Sequence, residues 1–218
     1  MSCRFFPGQE PRIESIEVSE TTFGLTPRHG RAVIVAGVLW LTCILAGFAI
    51  LGREEFTPVQ PTAIPANFPS ASTLPLTEGK PTLVLFLHPH CPCSRATLHE
   101  LEKLMTQTQD KVAVDIVFTI PPGTPPGWEN GDLLTSAGTI PGVRVVRDQN
   151  GVAARQFHVF GSGHTLLYGP SGHLLFSGGI TASRGEEGDN PGENAVADFV
   201  LRGHSDITQT PVFGCTLL

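Results

Sequence analysis

The most constraining feature of the chain is an uncharged run of twenty residues, from Ala32 to Leu51, which reads AVIVAGVLWLTCILAGFAIL. A helix rises about 1.5 Å per residue, so this run spans roughly 30 Å, the thickness of a bilayer core. A buried core helix of this length normally keeps a polar face. A cleaved signal peptide has a shorter apolar run, closer to the start of the chain. The run therefore predicts an uncleaved transmembrane helix over residues 32–51.

The charges that flank this run indicate its orientation. Arg28 and Arg31 precede it, whereas Arg53 follows it and is offset by Glu54 and Glu55. Positive residues are retained on the cytoplasmic side of a membrane, so the N-terminus is predicted to be cytoplasmic. The rest of the chain is then exported. In a bacterium this predicts a single-pass protein of the inner membrane with a periplasmic domain, in a compartment where disulfides persist.

The remaining sequence divides into three parts. Residues 1–31 mix charge, proline and glycine without periodicity, which predicts a mostly disordered cytoplasmic tail. Residues 52–73 are rich in proline and predict a linker. Residues 74–218 are predicted to form one folded domain. The net charge is −6 and basic residues do not cluster, so a nucleic-acid partner is not expected.

The folded part alternates apolar runs with amphipathic segments. Residues 82–87 (TLVLFL) predict a strand buried on both faces, and residues 94–107 carry leucines on one stripe of a helix. Further strands are predicted at 112–119, 143–146, 165–168 and 173–177, and further helices at 151–157 and 193–201, with a Pro/Gly-rich insertion at 120–142 that holds one helical turn near Leu133. This order predicts an α/β fold with a mixed central sheet flanked by helices.

The chemistry is concentrated in one motif, which lies between the first strand and the first helix of the domain. It reads His88-Pro89-His90-Cys91-Pro92-Cys93-Ser94. The other cysteines are Cys3, Cys43 and Cys215, too few and too scattered for a disulfide scaffold. Free N–H groups and the helix dipole at a helix N-terminus favour a thiolate, so the motif predicts a reactive thiol at Cys91.

These segments resemble the thioredoxin-like superfamily. The resemblance is carried by Leu83–Leu87 followed by Cys91-Pro92, by Val145–Ala154, and by the hairpin Thr165–Leu175. CPCSRATLHEL, together with SGGIT, SRG, GDN and a terminal PVFGC, is similar to the membrane-anchored, exported RedB-type proteins. The resemblance covers residues 74–203 and implies a thioredoxin-like fold. It also implies thiol–disulfide exchange through Cys91 and Cys93, with exported protein thiols or disulfides or a membrane electron donor as partners and no cofactor.

Two positions depart from the family pattern. The family motif is Cys-x-x-Cys, but position 94 is Ser, and Cys93 falls one residue early. A disulfide between Cys91 and Cys93 would close a small, strained ring. The family also carries a cis-proline before the third strand of its core, where this chain has His164.

The second departure raises an alternative function. SCO-type copper assembly proteins share the fold and bind copper through two cysteines and one histidine. Cys91, Cys93 and His164 offer the same ligand types, and His88 and His90 add nitrogens. A third reading is an adaptor that does not turn over. A peroxidase is disfavoured because the Pro-x-x-x-Thr-x-x-Cys pattern is absent before Cys91.

Three further residues or segments stay open in the sequence. Cys215 is either an inert tail residue or a thiol that folds back as the resolving partner of Cys91 or Cys93, or as a third sulfur ligand. The loop 183–190 has the composition of a solvated loop, with a role at the mouth of the site as the alternative. Trp128 is interpreted as a hydrophobic anchor of its loop, with packing against the site as the alternative.

Overall fold

A computed structural model describes residues 27–218. The predicted cytoplasmic tail therefore lies mostly outside the described residues, as does Cys3. Residues up to Phe48 and residues from Ala49 onward form two compact units. Within the first helix, Gly30–Arg53 has a mean hydropathy of 2.5 and is long and apolar enough to cross a membrane. None of the described side chains in this stretch is buried.

After the first helix, strands and helices alternate up to the last two strands, which follow each other directly. In chain order they are α1 (Pro27–Glu55), β1 (Thr82–Leu87), α2 (Ser94–Thr108), β2 (Ala113–Ile120), α3 (Asp132–Thr139), β3 (Val143–Gln149), α4 (Val152–Gln156), β4 (His164–Tyr168), β5 (Leu174–Gly178) and α5 (Pro191–Arg202).

The five strands form one sheet in the order β3-β2-β1-β4-β5. The first three strands pair in parallel, whereas β4 is antiparallel to β1 and β5 is antiparallel to β4. The mixed central sheet predicted from the sequence is therefore confirmed. Strand β1 lies in the middle of the sheet, and the motif at residues 88–94 follows its carboxyl end.

Strand β1 is buried on both faces because each face is covered by a different layer. Leu83, Leu85 and Leu87 pack with side chains of α2 and α5. Val84 and Phe86 pack in the second cluster, which includes α4 and Leu217 near the C-terminus. Successive side chains of a strand point to opposite faces, so a run without polar residues fits only a strand covered on both sides.

The insertion after β2 is more ordered than the sequence predicts. The single turn expected near Leu133 is the eight-residue helix α3. The strand expected at 143–146 continues to Gln149. Its polar residues conceal it in the sequence, yet Arg144 donates two hydrogen bonds of 2.7 and 2.6 Å to Asp115 on the neighbouring β2. A cross-strand ion pair of this bidentate kind stabilises a strand whose own side chains are half-exposed.

The segment 52–73, predicted as a Pro-rich linker, has no long regular element after α1 ends. It lies along the domain through backbone contacts. Val59 N–H donates to Val212 O at 2.7 Å, and Phe68 N–H donates to Gly172 O at 2.8 Å. Thr62 Oγ1 also donates to His158 O at 2.7 Å. The first of these contacts joins the segment to the C-terminal part of the chain, next to the cysteine described below.

Candidate functional site

The turn between β1 and α2 places Cys91 at the carboxyl end of the central strand. Cys91 N–H donates to His88 O, and Ser94 N–H donates to Cys91 O, both at 3.1 Å. These bonds wind the chain into the helix, which begins at Ser94 with Cys93 as its N-cap residue. The sequence-based expectation that the cysteines lie at a strand-to-helix junction is met, because the buried strand and the amphipathic helix meet there.

The C-terminal segment returns to this junction and brings a third sulfur to it. Cys215 Sγ lies 2.9 Å from Cys91 Sγ. Cys91 is only 1% exposed, whereas Cys93 and Cys215 are half-buried. All three are free thiols in the structure. This contact joins Cys91 to a residue 124 positions away in the chain.

The three thiols differ in acidity. Burial raises the pKa of the Cys91 thiol, but hydrogen bonds from the Cys215 thiol, from backbone N–H groups of Cys215 and Cys93, and from Ser94 outweigh it. The pKa of Cys91 is thus held below its usual range. Burial, together with the hydrogen bond and the negative charge of Cys91, raises the pKa of Cys215 to about 12. Burial and the charge of Cys91 also raise the pKa of Cys93.

Two serines fix the backbone around the sulfurs. Ser94 Oγ and Ser162 Oγ lie 2.9 Å apart and both are buried. Ser162 Oγ also accepts a hydrogen bond of 2.9 Å from His88 N–H. Ser162 therefore ties the loop before β4 to the cysteine motif. The sequence analysis missed Ser162, because a serine in a Gly-rich turn carries no signal of its own.

Arg184 lies beside the thiols. Its guanidinium donates to Gly214 O at 2.7 Å and to Thr57 O at 3.2 Å. Its positive charge opposes the rise in the pKa of both Cys93 and Cys215. The interpretation of loop 183–190 as merely solvated is therefore wrong for Arg184. The rest of the loop is largely exposed, which is why its composition gave no indication of this contact.

The two histidines of the motif pack against the insertion. The rings of His90 and Trp128 have centroids 4.4 Å apart, and His88 and Trp128 are 5.4 Å apart, both in edge-to-face contact. His90 Nε2 lies 2.8 Å from Trp128 O. Burial and the neighbouring His90 lower the pKa of His88. Trp128 thus packs on the site, the alternative that the sequence left open.

His164 is directed elsewhere. Its Nε2 lies 2.9 Å from Ser177 Oγ on β5, and burial lowers its pKa to about 4. With Ser177 it lines a cavity of about 380 Å³ bounded by residues 58–62 and 209–212, and none of the cysteines lines that cavity. Within residues 27–218, no group of three or more His, Cys, Asp or Glu residues is arranged to hold a metal ion. The ligand set Cys91, Cys93 and His164 therefore does not fit copper as arranged here.

Comparison with known proteins finds matches among solved structures only. No model of a known protein family and no curated protein matches the chain. Solved structures do match. A hypothetical protein from Sinorhizobium meliloti 1021 is 18% identical with a TM-score of 0.56, over 72% of this chain and 95% of that one. An uncharacterised protein from Geobacillus kaustophilus is 16% identical with a TM-score of 0.54, over 75% and 90%.

A thioredoxin-like protein solved in its oxidised form also matches, with 14% identity and a TM-score of 0.47 over 64% of this chain and 97% of that one. The fold itself is read from the sheet: a mixed five-stranded sheet in the order β3-β2-β1-β4-β5, with helices on both faces, is a thioredoxin-like fold. At these identities the likeness concerns architecture alone. In this thioredoxin-like domain the described residues contain no cis peptide bond, and the chain enters β4 through Gly163, which adopts a positive φ of 88°.

Of the residues predicted for the site, the thioredoxin-like domain brings Cys91, Cys93 and Cys215 together and leaves His164 in contact with Ser177. Arg184 and Ser162 join the cysteines without having been predicted. The thiol of Cys91, which is buried and has a lowered pKa, lies beside the thiol of Cys215, which keeps its proton. Such a pair can carry out thiol–disulfide exchange directly.

Proposed function

We propose that this protein is a thiol–disulfide oxidoreductase in which Cys91 is the nucleophile and Cys215 is its resolving partner. The observation that supports it is the 2.9 Å separation of the two sulfurs. A disulfide needs sulfurs about 2.05 Å apart, so a shift of less than about 1 Å joins them. Cys93 is then an auxiliary thiol, because a bond from Cys91 to Cys93 would close a small and strained ring.

The reaction balances with these two thiols. The Cys91 thiolate attacks one sulfur of a substrate disulfide, forming a mixed disulfide and releasing the other sulfur as a thiolate. Cys215 then loses its proton and attacks Cys91 Sγ. This step forms the Cys91–Cys215 disulfide and releases the second substrate sulfur. The substrate is reduced by two electrons and the protein is oxidised by two electrons; the reverse sequence oxidises a dithiol.

The pKa values of Cys91 and Cys215 determine which thiol reacts first. The charge of Cys91 contributes to the high pKa of Cys215. The mixed disulfide carries no charge on Cys91, so this contribution disappears once the first step is complete. The guanidinium of Arg184, which lowers the pKa of Cys215, remains in place. The resolving thiol is thus activated after substrate attachment and stays protonated before it.

The proposal includes the location predicted from the sequence. The chain is anchored by residues 32–51 in the inner membrane of a bacterium, with a cytoplasmic N-terminus and a periplasmic thioredoxin-like domain. The membrane-competent helix and the arginines before it support this. A reporter that is active only outside the cytoplasm, fused after Leu218, is expected to be active. A silent exported reporter with an active cytoplasmic one would contradict the orientation. We include in this proposal that the protein is one of the RedB-type exported proteins, which its cysteine motif and C-terminal segment resemble.

The pairing of the cysteines tests the chemistry. Cleavage after Arg95 and Arg202 leaves Cys91 and Cys93 on one peptide and Cys215 on another. Mass spectrometry of the oxidised, non-reduced protein should find these two peptides linked, and the link should be absent in Cys91→Ser. Cys93→Ser is the matched control and should keep the link. A disulfide confined to the Cys91–Cys93 peptide, with Cys215 free, would refute the assignment of Cys215.

A further inference from the structure

The last residues of the chain form a short strand against the loop that precedes β4. Ser162 N–H donates to Cys215 O at 2.8 Å, and Leu217 N–H donates to Phe160 O at 2.9 Å. Gly161 and Thr216 are the paired residues between these bonds, and the pairing is antiparallel. This is the bond pattern of an added antiparallel strand, in which the backbone of one segment satisfies the backbone of the other.

The close approach depends on Gly214. A Cβ placed on Gly214 would lie 1.9 Å from Ser162 O, so no other residue fits without displacing the strand. Arg184 contacts the same residue through its hydrogen bond to Gly214 O. Together these contacts fix the backbone that carries Cys215 against Cys91.

A substrate sulfur has to take the place of Cys215. Cys91 is 1% exposed, and Cys215 Sγ occupies the position beside its sulfur. The loop 160–162 offers one N–H and one C=O, which recognise any extended backbone whatever its side chains. The C-terminal strand and a substrate strand therefore compete for one backbone edge and one sulfur position.

We propose that residues 214–217 are an internal stand-in for the substrate, and that the substrate is an extended polypeptide segment with a cysteine in a disulfide. This segment displaces residues 214–217 from the loop 160–162 and bonds to Ser162 N–H and Phe160 O in their place. The inference rests on the proposed function, because it requires Cys91 to accept the substrate sulfur. It adds that return of the C-terminal strand both resolves the mixed disulfide and expels the reduced polypeptide.

Amide hydrogen exchange on the full chain in detergent tests the displacement. The probe is a decapeptide of alternating Thr and Val with one central Cys, activated as its disulfide with 5-thio-2-nitrobenzoate. It is loaded on Cys91 of the Cys215→Ser variant, which cannot resolve it. Exchange of Leu217 N–H should accelerate by about tenfold or more, since its partner Phe160 O is taken. Ser162 N–H should remain protected by the peptide carbonyl. Unchanged protection of Leu217 in the loaded protein would overturn the inference.

A substitution at Gly214 gives an independent test. Gly214→Ala should dislodge the strand, which also removes the hydrogen bonds from Cys215 that lower the pKa of Cys91. Rates are therefore compared per Cys91 thiolate; on that basis, release of 5-thio-2-nitrobenzoate by the peptide should accelerate by about tenfold while resolution slows. The matched control is Gly138→Ala in α3, where an added Cβ meets no atom within 4 Å. Equal rates in Gly214→Ala and wild type would overturn the inference and leave the proposed function intact. No Cys91-dependent release in any variant would instead refute the proposed function.

Discussion

Cys91 follows a strand that is buried on both faces and precedes a helix of 15 residues, whereas Cys215 lies in a segment without a helix or a strand of the sheet. The first region is held by neighbours in sequence, through turn bonds between His88, Cys91 and Ser94. The second is held by distant residues, which include Ser162 and Arg184. The backbone position of the nucleophile is therefore set locally, whereas its lowered pKa and the position of its proposed partner depend on tertiary contacts of the C-terminal segment.

The difference has a functional meaning. A junction between a buried strand and a helix is among the stiffest places in a domain, since both elements pack in the core. A segment held by a few backbone bonds and one guanidinium can leave and return at lower cost. The junction suits a thiol that must keep its position, and the C-terminal segment suits a thiol that must give way to a substrate. The hydrogen bonds from Cys215 lower the pKa of Cys91 while that segment is in place.

The largest effect should come from removing the second thiol. In Cys215→Ser we expect attachment of a substrate disulfide to continue and release of the mixed disulfide to slow by about 100-fold or more, because the attacking sulfur is gone. Cys93→Ser should change the release rate by no more than about threefold. Stopped-flow release and intact-mass detection of the adduct measure both. If the adduct accumulated in Cys93→Ser and not in Cys215→Ser, Cys93 would be the resolving thiol and the assignment of Cys215 would be wrong.

The two regions also differ in what the sequence reveals. The hydrophobic run at 82–87 and the leucine stripe of the following helix predict the junction and thereby Cys91. The mixed sheet follows from the same periodicities. The pairing of Cys215 does not, because no periodicity marks residues 204–218. Its position depends on a close approach at Gly214 and on the loop of Arg184, which are properties of the folded chain.

The alternative copper function gave His164 a role as a ligand on family grounds, and the structure explains why its place in the sequence pattern was misleading. Position 164 does lie at the start of β4, opposite Phe86 of β1. A strand alternates its side chains, and the imidazole is directed to Ser177 in a cavity away from the sulfurs. Placing a residue at a position in a sheet thus does not tell which neighbour its side chain meets.

The second largest effect should come from the contact that holds the C-terminal segment. Arg184→Gln removes the charge beside Cys93 and Cys215 and weakens the bond to Gly214 O. Resolution should slow by about tenfold, because a charge-assisted bond and an activating charge are both lost. Attachment at Cys91 should not slow. The matched control is Arg202→Gln, on exposed helix surface. If attachment slowed while resolution stayed normal, Arg184 would act on Cys91 and not on the C-terminal segment, and the prediction would be wrong.

A smaller effect is expected at His164. His164→Ala removes the partner of the Ser177 hydroxyl and should lower the free energy of unfolding by about 1–3 kcal/mol. The rate of disulfide exchange should stay within about threefold of wild type, since the imidazole makes no bond to sulfur. Urea denaturation and insulin reduction measure the two quantities. Titration with Cu(II) separates the copper alternative: tight binding lost in His164→Ala, without reductase turnover, would replace the oxidoreductase proposal.

The smallest effect concerns a buried carboxyl pair behind the loop of Arg184. Glu100 is fully buried; its Oε1 accepts from Gly188 N–H and from Lys103 Nζ, both at 2.8 Å, and its Oε2 has no conventional donor. Burial, and then the hydrogen bond and charge of Glu100, raise the pKa of Glu193 to about 7. Below this pH, protonated Glu193 can donate to Glu100. Through the hydrogen bond from Gly188 N–H to Glu100, the pair thus holds the end of the loop that contains Arg184, which in turn contacts the C-terminal segment.

The sign of the pH dependence follows from the raised pKa of Glu193. Between its unfolded pKa of about 4.5 and its folded pKa of about 7, the folded state binds more protons, so stability falls as pH rises through this range. The urea midpoint of the wild type should therefore fall between pH 5 and pH 8, by roughly a few tenths of a molar unit. Glu193→Gln keeps a donor toward Glu100 at every pH and should flatten the profile, with wild-type stability at pH 5 and higher stability at pH 8. Glu102→Gln, exposed on α2, the helix that carries Glu100, is the control and should follow the wild type. If the resolution rate falls over the same range in the wild type but not in Glu193→Gln, the C-terminal region depends on this carboxyl pair while the Cys91 junction does not. A fall shared by both proteins would separate the carboxyl pair from the site.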